Sequence, residues 1–127
     1  MNLKVTEPEQ MNAAFAVAYN SGDIESLMAL YEPNAVLAPQ PGQRAIGLSA
    51  IREALLGFLS LNGEMQSENL YCIRTGDIAL LQASWKLSAT GADGRPFEMS
   101  SRTAEIVRQQ PDGSWLYVVD HAFANDS

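Results

Sequence analysis

The side chains able to do chemistry are few. His121 is the only histidine and Cys72 the only cysteine, so an internal disulfide and a multi-cysteine zinc site are excluded and no metal is expected. His121 directly follows Asp120, but neighbours along a strand point to opposite faces, which argues against a dyad between them. Carboxylates remain. Two of them sharing an apolar hollow would raise each other's pKa through desolvation and like charge, and would serve as acid and base near neutral pH. Some acids have structural positions instead. Asp23 stands where a helix N-cap belongs, and Asp112-Gly113 is turn chemistry. Tyr19 and Tyr31 fall on inward helical faces, where a hydroxyl can meet a ligand or a backbone carbonyl.

Familiar catalytic motifs are missing from the sequence. Without G-x-G-x-x-G or a P-loop, a nucleotide on a helix N-terminus lacks its sequence support. Without H-E-x-x-H or G-x-S-x-G, the common zinc-protease and serine-hydrolase arrangements fall away. No cofactor is expected.

The elements that must position these groups change period halfway along the chain. Thr6-Glu7-Pro8-Glu9 reads as a capping box. Met11, Ala14, Phe15, Ala18 and Tyr19 then form one apolar helical stripe, which Gly22 closes. Asp23 opens a short second helix with Ile24, Leu27, Met28 and Tyr31 inward, stopped by Pro33 and Asn34. Ala35–Ala38 forms a short strand, Gln40–Gly47 a loop, and a third helix after Ser49 buries Ile51, Leu55, Phe58 and Leu59. Strands are predicted near 65–74, 78–90, 97–109 and 114–123, separated by Thr75-Gly76-Asp77, Gly91-Ala92-Asp93-Gly94 and Pro111-Asp112-Gly113. Three helices followed by an antiparallel meander predict an α+β domain whose sheet curls around a cavity.

At 127 residues the chain has the size of one domain, 1–127, with 46% hydrophobic residues to fill its core. A net charge of −7 argues against nucleic acid and anionic membrane surfaces as partners. No apolar run approaches the roughly 20 residues of a bilayer span. MNLKVTEPEQ has no secretory h-region, and a cytoplasmic setting is expected.

In this order of elements, AYNSGDIESLMALYEPNAVLAP, GLSAIREAL, RTAEIVRQQPDGSW and VVDHAFA together resemble the SnoaL-like, or nuclear transport factor 2-like, superfamily. Within it they resemble the SgcJ/EcaC-type branch, over about residues 9–124. The resemblance implies a cone, with three N-terminal helices packed on a strongly curved antiparallel sheet around a pocket. It also implies a homodimer through the convex sheet face. Members range from ketosteroid isomerase, polyketide cyclases and dehydratases to the kinase association domain, so the fold does not fix the function.

Ketosteroid isomerase works with an aspartate base and an oxyanion hole of a tyrosine and a protonated aspartate. Aligned on the N-S-G-D break, its tyrosine falls at Phe15 and its base at Ala38 or Pro39, all unable to play those parts; its protonated aspartate falls at Glu105. The SnoaL-type cyclases place an acid on the last strand, where Asp120 stands. That register would turn Leu116, Val118, Asp120 and Ala122 toward the pocket and Trp115, Tyr117, Val119 and His121 away. Asp120 and Glu105 are thus the catalytic candidates, with Phe15, Tyr19, Met28, Tyr31, Trp85, Val107 and Val118 as ligand-binding residues. Arg44 falls at the rim, able to steer an anion. A small, mostly apolar ligand with acid/base chemistry of isomerase, cyclase or dehydratase type is one expectation. A non-catalytic ligand-binding or dimeric assembly module, with Glu105 paired to Arg102 or Arg108, is the other.

Overall fold

The computed structural model describes residues 4–124. After a single 3-10 turn at Pro8–Gln10 come α1 (Met11–Asn20), α2 (Ile24–Met28), β1 (Tyr31–Ala38), β2 (Ala45–Ile46) and α3 (Leu48–Leu59). They are followed by β3 (Glu64–Thr75), β4 (Ile78–Thr90), β5 (Pro96–Arg102), β6 (Ala104–Gln109) and β7 (Trp115–His121). The sheet order is β2-β1-β7-β6-β4-β3, with β5 also on β4. This is the expected α+β arrangement, helices on a curled sheet. One pairing differs: β1 runs parallel to β7. Everything between the two strands serves as the long crossover that a parallel pair requires.

The helix ends follow local chemistry. Asp23 caps α2, its Oδ1 accepting from the amides of Glu25 and Ser26 at 3.0 and 3.4 Å. The capping box at Thr6 does not form. The chain enters through Glu7 without a side-chain cap, because the first turn is 3-10 and Gln10 N bonds back to Glu7 O at 3.0 Å. Helix α3 starts at Leu48, just before the predicted boundary. Its N-cap Gly47 has φ +84, a left-handed turn out of β2 that a side chain would disfavour. Tyr31 and Pro33 lie in β1 rather than at the end of α2. Between Tyr31 and Val36 the β1–β7 register breaks, and proline, with no N–H to give, is tolerated in such a stretch.

Strand β4 alternates as its sequence predicts, with Ala79, Leu81, Ala83, Trp85 and Leu87 buried. Each large side chain so buried contributes roughly 1.5–3 kcal/mol. The predicted strand 97–109 is broken at Thr103 into β5 and β6. Thr103 N donates to Ala83 O and Thr103 Oγ1 accepts from Ala83 N, both at 2.8 Å. A hydroxyl thus replaces a ladder carbonyl at the break between β5 and β6, two residues before Glu105.

Candidate functional site

Glu105 on β6 and Asp120 on β7 are direct cross-strand partners, and both face inward, 1% and 5% exposed. Both line one cavity of about 350 Å³. Its apolar wall includes Phe15, Leu37, Phe58, Met65, Trp85 and Phe123, while Pro39, Gln40, Gln43 and Glu53 also border it. Trp85 is fixed by its Nε1, which donates to Ala122 O at 2.7 Å. Its ring meets Phe58 and Phe123 edge-on at centroid distances of 6.1 and 5.2 Å.

The polar anchoring comes from both sides of the sheet's hollow. Asn12 on α1 donates from Nδ2 to Glu105 Oε1 at 3.1 Å and accepts at Oδ1 from the Tyr117 hydroxyl at 2.7 Å. Thr103, which lines the cavity beside Glu105, exerts a lowering pull on its carboxyl. Tyr31 donates its hydroxyl to Asp120 Oδ2 at 2.5 Å, and its ring packs on Tyr117 at 5.1 Å.

Burial, then the charge of Asp120, pushes Glu105 up to about 8. Burial pushes Asp120 up to about 6, against the lowering pull of the Tyr31 hydroxyl. Burial, together with Asp120, raises both phenols well above their usual range, so Tyr31 remains a donor. Near neutrality the pair therefore holds one proton, favoured on Glu105, and one negative charge, favoured on Asp120.

Of the expected ligand-binding residues, Phe15 and Trp85 line the cavity. The other five do not. Tyr19 braces the helices, donating to Phe58 O at 2.9 Å; Met28 packs on the core from outside the cavity; Val107 is wholly buried. Tyr31 reaches the site through Asp120. Val118 is displaced by a bulge, since Val107 pairs with Tyr117 but Ile106 with Val119. One extra residue on β7 resets the alternation. Trp115 and Tyr117 therefore turn inward, 0% and 1% exposed, contrary to strict alternation, while Asp120 and Ala122 still reach the cavity.

Arg44 is exposed and donates to Gln43 O rather than lining the cavity. Arg108 is held by Glu32 at 3.0 Å, and Glu105 makes no ion pair among the described residues. The arginine-paired Glu105 is thus not what the fold builds. His121 pairs with Ala104 and Ala38 and is absent from the cavity wall. Among the described residues no three His, Cys, Asp or Glu side chains are grouped to hold a metal. Asn12 and Thr103 are site residues that sequence reasoning missed. Asn12 had a signal: it shares a helical face with Phe15 and Tyr19 at i, i+3, i+7.

A curled sheet beneath three helices is the architecture, and the sequence match gives the class of protein. Residues 12–118 match the SnoaL-like domain family, and the chain belongs to it. A ketosteroid isomerase-like protein from Erwinia carotovora atroseptica is 24% identical, with 88% of each chain covered and a TM-score of 0.79. A candidate dehydratase of the NTF2-like family from Streptomyces avermitilis is 20% identical, covering 87% of this chain and 88% of that one, TM-score 0.73. A candidate calcium/calmodulin-dependent protein kinase II association domain from Xanthomonas campestris is 19% identical, covering 88% and 81%, TM-score 0.74. At these identities the structures attest to a shared fold alone. No curated protein matches the sequence.

Proposed function

We propose that the protein binds a small, mostly apolar molecule in the cavity and performs cofactor-free acid/base chemistry on it, with Asp120 as base and Glu105 as acid. The observation that supports this most is that two unlike carboxyl environments meet in one hollow. Asp120 receives a phenol hydroxyl that favours its charge, whereas Glu105 is the more strongly raised. Environments that push two titratable groups apart divide the roles of acid and base between them. Such a pair can carry the proton transfers of isomerisation, cyclisation or dehydration.

Deuterium uptake at the α-carbons of small cyclic and aromatic ketones, followed by NMR, tests this without knowledge of the natural substrate. Asp120→Asn is expected to slow the exchange by about 10²- to 10⁴-fold while ligand-induced thermal shifts persist. Equal exchange by wild type and variant would remove Asp120 from the chemistry. Binding without any exchange would favour the non-catalytic module.

The proposal includes a cytoplasmic homodimer of the SgcJ/EcaC-type branch. No helix among the described residues is long and apolar enough to cross a membrane. A row of cross-strand partners on the side of the sheet opposite the cavity supports the pairing. Ile73, Leu80, Ile106, Val119, Val36 and Ile46 succeed one another across six strands. Ile73 is 62% and Ile46 71% exposed. A continuous apolar stripe is suited to burial against its own copy. Ile106→Lys is expected to halve the mass seen by sedimentation at micromolar concentration with the fold intact by circular dichroism. A monomeric wild type would refute the pairing.

A further inference from the structure

We infer that the ligand of this cavity carries a basic nitrogen, whose positive charge pairs with Asp120 while its hydrocarbon part fills the space beside Phe58, Trp85 and Phe123. This rests on the cavity being the ligand site, as proposed above, and not on Asp120 acting as a base, because a carboxylate paired with an ammonium group is not free to take a proton from carbon.

Three independent features point the same way. The first is charge. Glu53, Glu105 and Asp120 line the cavity, and no lysine, arginine or histidine does so among the described residues. An anionic ligand would add like charge to a space that already disfavours it, so carboxylates and phosphates are poor candidates. The second is an open acceptor. Asp120 is 95% buried by its 5% exposure. Its Oδ2 is engaged by Tyr31, but its Oδ1, on a side chain in the cavity wall, accepts no hydrogen bond among the described residues. A buried carboxylate lacking a cation is costly to keep charged. Arg108, on the same strand as Glu105, is committed to Glu32, which leaves the counter-charge to the ligand.

The third is the aromatic wall. Phe58 and Trp85 meet at 87°, and Trp85 and Phe123 at 79°. Rings set at right angles enclose an apolar space that suits the hydrocarbon part of such a ligand and not a second charged end. The net charge of −7 would favour the approach of a cation. The cavity of about 350 Å³ is of the size that takes small organic ligands.

The test is calorimetric binding at neutral pH of three probes with one hydrocarbon part: 2-phenylethylamine, 2-phenylethanol and phenylacetate. The amine is expected to bind by about tenfold or more over the alcohol, and phenylacetate to show no binding. Glu105→Gln, which leaves the charge of Asp120 in place, should keep that preference. Asp120→Asn should abolish it while the alcohol binds as before. Should Asp120→Asn not fold, the wild-type ranking and Glu105→Gln still decide the matter. Equal or tighter binding of the alcohol overturns the basic nitrogen and leaves the cavity as a site for neutral molecules. Absence of binding by all three overturns both.

Discussion

The wild-type protein is expected to become easier to unfold as pH rises from about 4.5 to about 8, the reverse of ordinary acid denaturation. Glu105 titrates near 4.5 when unfolded and near 8 in the fold. Between those values the native state holds a proton that the unfolded chain has released. Stability then falls with rising pH by about 1.4 kcal/mol per unit for one such group. Asp120 adds to the fall between 3.8 and about 6. Asp112 and Asp23 act in the opposite sense, since hydrogen bonds from Lys4, Ser114 and Ser26 lower them. Their influence lies below the pH of an ordinary aspartate. Glu105→Gln has nearly the shape of the protonated acid and preserves an acceptor for Asn12. It is expected to flatten the curve above about pH 6, leaving only the part due to Asp120. Urea midpoints measured from acid to mildly alkaline pH check this. A wild-type midpoint that stays level or rises over the interval would show that the carboxyl pair is hydrated rather than enclosed.

How far the sequence reveals such a site depends on whether the responsible pattern is local. Alternation in β4 and the caps at Gly22 and Asp23 are properties of adjacent residues, and the fold keeps them. The meeting of Glu105 and Asp120 was legible only through family resemblance, because the cross-strand register is not written in either strand alone. The bulge at Val118 is invisible to a period-two pattern: the run Trp115–Val119 is apolar on both faces, so nothing in its polarity marks an extra residue. Tyr31 was misplaced for a related reason. Its spacing from Leu27 and Met28 continues a helical stripe, yet its phenol is needed beside Asp120, far along the chain. Tyr19, Met28 and Val107 are apolar and inward, as a cavity wall would be. Core and cavity wall draw on the same residue types, and only the packing separates them. Asn12 was the clearest missed signal, a polar residue among inward helical positions.

Asn12→Leu should be among the most damaging single substitutions in the site, although it keeps the branching and heavy-atom count of the side chain. The amide is a hub: Tyr117 donates to it, and it donates to Glu105. Tyr117 is 1% exposed, so its hydroxyl has no water to turn to. An orphaned buried hydroxyl costs about 1–3 kcal/mol, and Glu105 losing its donor adds a comparable amount. If the three groups act as a unit, adding Tyr117→Phe to Asn12→Leu must recover part of the loss, because the second change removes the orphan the first created. Urea unfolding of both single variants and the double variant gives the coupling directly. Costs that simply add would show that Tyr117 and Asn12 do not act as a pair. A double variant more stable than Asn12→Leu alone ties helix α1 to Tyr117 through the same amide that donates to Glu105.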